Sequence, residues 1–245
     1  MSDKILCIHH HLGLGDHIDC NGLVRYILTN SEYENINLFV KSKYNGMIDY
    51  MYADEDRIRL IPLESEENED GQVFDYVAEH KDKTLLRVGH ESYPHGRELI
   101  DNKNCWEYFY EQLNISYNVR RENFYMKRDM QEENRVYSKL NPENKPFAFV
   151  HDDPDRGYNL DNKYIKNQNL HIIRNDPTEN VFHFTKIIED AEEIHCMESC
   201  FKSLIDIYAQ TDKIFYHDFR RGNHPLGTRT NKKWNIIKYD KSTNN

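Results

Sequence analysis

The segment Ile5-Leu6-Cys7-Ile8-His9-His10-His11-Leu12-Gly13-Leu14-Gly15-Asp16-His17 constrains the fold of this chain more than any other. An apolar run directly before a turn, here Ile5 to Ile8, reads as a buried strand. Gly13 and Gly15 mark a tight turn, because glycine reaches backbone angles closed to other residues and leaves room for a ligand. Cys20, Leu23, Val24, Ile27 and Leu28 then recur at helical spacing. Asp16 stands at the expected N-cap, where a carboxylate also complements the helix dipole. This order places backbone N–H groups and one acid at the carboxyl end of a strand, which is where open α/β sheets bind ligands.

The alternation continues along the chain. Residues 37–41, 58–63 and 84–88 read as strands, with helical segments at 44–51 and 73–80. Residues 105–113 carry Trp106, Phe109, Tyr110 and Leu113 at helical spacing, an aromatic core stripe. The acid-rich run 64–70 reads as a solvated loop. Residues 129–145 are polar apart from Val136 and Leu140, so a domain boundary is expected there, at 135/136. Beyond it, 147–151, 170–174, 193–197, 213–217 and 234–239 read as strands. Helix faces lie between them at 184–191 and 201–208, and the tail 240–245 reads as frayed. Strands alternating with helices predict parallel sheets. The expected class is α/β, as two facing Rossmann-like domains, 1–135 and 136–245, with ligand between their strand ends.

Composition narrows the partners. The net charge of −10 over 245 residues argues against a nucleic-acid binder working by bulk electrostatics. Mean hydropathy is −0.89, and no apolar run approaches the ~20 residues that span a bilayer. The N-terminus lacks a signal-peptide pattern. The five cysteines are odd in number and form no paired framework, so they read as reduced, and the expected location is cytoplasmic.

Chemistry has several places to reside. Asp16, with His17 beside it, is either a helix cap or a carboxylate placed to take a proton from an attacking hydroxyl. In Ile194-His195-Cys196-Met197-Glu198-Ser199-Cys200-Phe201 a strand runs into a helix capped by Ser199. That helix start either closes a core helix or receives a diphosphate, with Glu198 accepting from ribose hydroxyls. In His151-Asp152-Asp153-Pro154-Asp155-Arg156, Arg156 suits a phosphate, whereas Asp153 and Asp155 together suit a divalent metal. Arg174 ends a strand, as a phosphate contact or as a surface ion pair. The basic loop 220–229 either touches phosphate or merely connects. Adjacent strand residues point to opposite faces, so of the three histidines only His9 and His11 share one. With no third ligand at a sensible spacing, no metal site is expected there. The spacing G-x-G-D is neither the dinucleotide fingerprint nor a P-loop, and no G-x-S-x-G elbow supports a hydrolase.

With these motifs in view, the chain resembles compact glycosyltransferases of the GT-B type. Heptosyltransferases open on a strand followed by a Gly-Asp turn whose Asp is the proposed general base, which matches Asp16 in Leu14-Gly15-Asp16. Their second domain binds the donor diphosphate at an acidic-Thr-Gly helix start. The corresponding stretch is Glu198-Ser199-Cys200, with Cys200 where that family has glycine. GDP-fucose-dependent fucosyltransferases carry an H-x-R motif, to which His171-Ile172-Ile173-Arg174 is similar but one residue longer. The resemblance implies an inverting, metal-independent transfer from a nucleotide-diphosphate sugar to a glycan or other hydroxyl acceptor. Asp16 would be the base, and the donor and acceptor would be contacted by Gly13, Gly15, His17, Asp153, Arg156, Arg174, Glu198, Ser199, Cys200 and Phe201. No cofactor is implied beyond the donor. The alternatives are a non-catalytic nucleotide- or glycan-binding module and a metal-dependent transferase using Asp153 and Asp155.

Overall fold

A computed structural model describes residues 4–65, 67–80, 83–90, 103–154, 157–218, 230 and 232–239. The chain forms two compact units, Met1–Lys127 and Arg128–Asn245. The first is built on β1 (Ile5–His9), β2 (Asn35–Lys41), β3 (Ile58–Leu63) and β4 (Thr84–Arg87), all parallel, in the order β3-β2-β1-β4. Cys7 of β1 lies opposite Asn37 on one side and Leu85 on the other. The chain steps outward through β2 and β3, then returns to the far edge of β1, so strand order reverses between β1 and β4. Its helices are α1 (Leu14–Asn30), α2 (Asn45–Tyr52), α3 (Glu69–Glu79), α4 (Cys105–Gln112) and α5 (Val119–Glu122).

The second unit contains α6 (Met130–Leu140), β5 (Phe147–His151), β6 (His171–Arg174), α7 (Thr185–Asp190), β7 (Glu193–Cys196), α8 (Cys200–Tyr208), β8 (Ile214–Asp218) and β9 (Asn235–Lys238). Its sheet is also parallel, in the order β6-β5-β7-β8-β9, and reverses between β5 and β7. A central parallel strand is covered on both faces and therefore reads as an unbroken apolar run. Every residue of β5 is accordingly buried, as is all of β1 after Ile5. Among the described residues no helix is long and apolar enough to cross a membrane. All five cysteines are free thiols.

Two segments depart from the sequence expectation. The acid-rich run is not all loop, because Glu69 and Asp70 form the first turn of α3, where the helix dipole favours carboxylates. There Glu69 pairs with Lys41 and Asp70 with Arg87. Residues 130–140, polar enough to suggest a boundary, form α6 instead. Asp129 caps it by accepting from the Gln131 and Glu132 amides, and Arg128 neutralises the buried Glu133. That helix lies wholly in the second unit, so the units divide at 127/128 and not within it.

Helix α1 is buried around most of its circumference because it also packs against α4 and α5. Gly22 permits the close approach, since a Cβ there would lie 2.5 Å from the Val119 carbonyl oxygen. One group of polar atoms enclosed with it is satisfied internally. Asp19 is ion-paired with Arg120, and the Tyr110 hydroxyl donates to the Asp19 carbonyl at 2.8 Å. Removing one partner of a buried ion pair leaves the other charge uncompensated, at about 3–5 kcal/mol. Urea unfolding of Arg120→Met should therefore show a loss of that order. A loss under ~1 kcal/mol would mean that this pair does not hold α5 to α1.

Candidate functional site

At the β1/β4 reversal, the chain leaves β1 through Gly13 into α1. Gly13, not Asp16, is the N-cap, and Asp16 is the third helical residue. The Asp16 carboxylate reaches back to accept from the Gly13 amide at 3.2 Å, the reciprocal half of a capping box. Gly13 has ordinary extended angles (φ −70°, ψ 147°), so backbone freedom is not the reason for glycine here. Space is: a Cβ would sit 2.6 Å from Asp16 Oδ2. Gly15 lies in the first turn of the same helix.

The other Asp16 oxygen accepts from Trp106 Nε1 at 2.8 Å. Trp106 belongs to the α4 stripe, whose helical spacing marked it as core. Nothing in that spacing indicated that its indole N–H would hold the carboxylate. Burial raises the Asp16 carboxyl above its ordinary range, against the lowering effect of the Trp106 bond and of nearby His11. Each carboxylate oxygen retains a lone pair after these bonds. A fixed carboxylate of raised basicity at a strand end is suited to accept a proton.

His17 faces inward. It is fully buried and packs edge-on against His10 with ring centroids 4.4 Å apart. Burial holds its pKa well below the usual histidine value. It supports the turn from beneath and does not present a ring to a ligand. The His10 Nδ1–H donates to the His11 carbonyl, and the His11 Nε2–H donates to the Gly89 carbonyl at 3.0 Å.

The β5/β7 reversal carries the second cluster. Ser199 occupies the N-cap of α8 in extended conformation, but its hydroxyl makes no capping bond and lies 4.0 Å from the Cys196 sulfur. The first turn, which Cys200 begins, is therefore not closed by its own N-cap side chain. Glu198 accepts from the Tyr216 hydroxyl at 3.0 Å, and the Lys202 ammonium lies 3.7 Å from its other oxygen. Lys202 is only 2% exposed, a buried cation one turn into the helix. Its sequence context, a lysine on a short helix, gives no sign of that burial. Phe201 is core, with ring centroids 4.5 Å from His151 and 5.2 Å from Phe184.

Arg174 closes β6 and pairs with Asp152, while also donating to the Leu160 carbonyl at 3.0 Å and to Asn162 Oδ1 at 2.7 Å. Its charge thus ties down the loop after β5, as the ion-pair alternative expects. Asp153 is half-buried, and its backbone bridges Tyr158 in both directions. Asp155, Arg156 and the basic loop 220–229 lie outside the described residues. Within the first unit, then, Asp16, Gly13 and Gly15 stand together; within the second, Glu198, Ser199 and Cys200 do.

No protein-family model matches the chain, and no curated protein matches it. Solved structures do. A family 9 glycosyl transferase from Veillonella parvula superposes with a TM-score of 0.57 at 9% identity, over 96% of this chain and 87% of that one. The E. coli ADP-heptose LPS heptosyltransferase II gives 0.55 at 10% identity, over 96% and 90%. E. coli heptosyltransferase WaaC with ADP gives 0.52 at 7%, over 97% and 93%. At such identities the likeness shows the fold, the two-unit α/β architecture of GT-B glycosyltransferases.

Replacing Trp106 by Phe removes the donor and keeps an aromatic ring, so the Asp16 titration should move further up, read by NMR of its carboxyl carbon. A folded-state pKa above the unfolded value means that the folded chain binds the proton more tightly. Asp16's contribution to stability is then full below the unfolded value and is lost as pH rises through the folded one. An Asp16 titration that stays put or falls in Trp106→Phe would contradict the assigned bond.

Proposed function

We propose that this chain is a glycosyltransferase that moves a sugar from a nucleotide-diphosphate donor to a hydroxyl acceptor with inversion. The observation that carries the reading is Asp16, a raised carboxyl held by Gly13 and Trp106 at the β1/β4 reversal of a fold shared with sugar transferases. One of those transferases was solved with ADP, so a nucleoside diphosphate is the natural leaving group to consider. In this reading the acceptor hydroxyl gives its proton to Asp16 as its oxygen attacks the anomeric carbon. The bond from that carbon to the diphosphate breaks, and the nucleoside diphosphate departs with the electron pair. Within the second unit, the start of α8 suits an anion such as a diphosphate, since the helix dipole and the buried Lys202 both favour negative charge there. Neither step requires a metal on the diphosphate. The donor and acceptor are the partners, and no further cofactor enters.

Asp16→Asn keeps the shape of the capping turn and removes the base. The general-base term is about 10²–10⁴-fold. Turnover with a competent donor and acceptor should fall by at least that much while donor affinity stays within about two-fold. Undiminished turnover would remove Asp16 from this role. A loss of donor affinity equal to the loss of rate would make it a binding residue.

A further inference from the structure

A second cluster stands at the β1/β4 reversal and plays no part in the proposed transfer. His9 closes β1, Asp70 lies in the first turn of α3, and His90 follows β4. Each offers one ligand atom, and the three atoms lie within 4.8 Å of one another. His9 Nδ1 and Asp70 Oδ1 are 3.8 Å apart, and the two imidazole rings overlap with centroids at 4.1 Å. His9 is fully buried, yet among the described residues neither of its ring nitrogens has a hydrogen-bond partner. A buried polar group left so is costly. His90 bonds the backbone of His10, and its buried Nε2 is likewise without a partner.

The surroundings fix His90 in place. Gly89 adopts φ +79°, a left-handed conformation that turns the chain so that the next ring lies over His9. A Cβ there would lie 2.2 Å from the Phe109 ring, so glycine is required twice over. Gln112 clamps the turn, accepting from the Gly89 amide at 2.9 Å and donating to the Arg87 carbonyl at 2.7 Å. A ligating histidine anchored by its other nitrogen to a backbone carbonyl is the usual support of a metal site.

We propose that His9, Asp70 and His90 bind a first-row divalent cation of the zinc class. Two imidazoles and one carboxylate select such an ion over Mg²⁺ or Ca²⁺, which prefer all-oxygen shells. Zinc–nitrogen bonds of about 2.0–2.1 Å put tetrahedral ligands roughly 3.4 Å apart, so the cluster must close by about 1 Å. Asp70 supplies that movement. Its side chain is 56% exposed, and it exchanges Arg87, which now holds both of its oxygens at 2.9 Å, for the ion. Three protein ligands leave a fourth position open to water.

The test titrates the full chain with Zn²⁺ by calorimetry and with Co²⁺ by visible absorbance, using the metal alone. One Zn²⁺ per chain is expected, with a Co²⁺ spectrum of four-coordinate nitrogen and oxygen ligation that excess Mg²⁺ does not remove. Asp70→Asn and His90→Gln, both at partly exposed positions and checked for folding by circular dichroism, should each weaken binding about 10-fold or more. The absence of stoichiometric binding overturns the proposal. So does affinity unchanged in both variants. Since neither donor nor acceptor is present, this result is independent of whether the sugar-transfer reading holds.

Discussion

Everything at the first unit's candidate site depends on β1 being hydrogen-bonded along both edges. β2 and β4 lie parallel on either side of it, so its carboxyl end is the place where two chain crossings part. The Val88 amide donates to the His9 carbonyl at 2.8 Å, which ties the exit of β4 to the exit of β1. From that point the Gly13 turn brings Asp16 back onto its own N-cap, and the Gly89 turn lays His90 over His9. Two glycines act here for different reasons. Gly13 makes room for a carboxylate, and Gly89 supplies a left-handed turn.

The electrostatics follow from the same crowding. His9, His10 and His17 are all buried, and burial depresses each, to about 3 for His9 and about 4 for His10. Three neutral imidazoles therefore stand near the turn in a chain whose net charge is −10. They bring polar atoms but no positive charge, so they do not offset the burial that raises the Asp16 carboxyl. Two buried histidines of the second unit, His195 and His217, are placed differently. There His195 bonds Glu193 at 2.7 Å and His217 at 2.8 Å, and His217 bonds the Tyr239 hydroxyl at 2.7 Å, so the imidazoles are used up in a buried chain. What sets the His9 cluster apart is that ligand atoms of two imidazoles and a carboxylate lie there within 4.8 Å of one another.

Much of the architecture was legible because a parallel strand covered on both faces reads as a nearly unbroken apolar run, as in Phe147–His151. Helix α6 was not, because its stability comes from Asp129 as cap and from Arg128 on a buried Glu133, which composition reads as mere polarity. The Gly-Asp turn was legible as a strand-to-helix junction, although the cap proved to be Gly13. Asp70 and His90 were hidden from any spacing argument, since they meet His9 only through sheet order, 61 and 81 residues further along the chain. Trp106 and Lys202 were hidden for a related reason. An aromatic stripe predicts burial but not the partner of its N–H, and a lysine's burial depends on what surrounds the helix.

The most direct measurement is the thermal unfolding of the full chain against UDP, GDP, dTDP, ADP, CMP and their common sugar conjugates, with and without Mn²⁺. A ligand at ~100 times its dissociation constant adds ~2.7 kcal/mol to the folded state, a readily visible rise in Tm. The account predicts a selective rise with one nucleoside diphosphate and its sugars, equal in the presence and absence of Mn²⁺. No rise with any diphosphate at saturating concentration, or a rise that requires Mn²⁺, would contradict it.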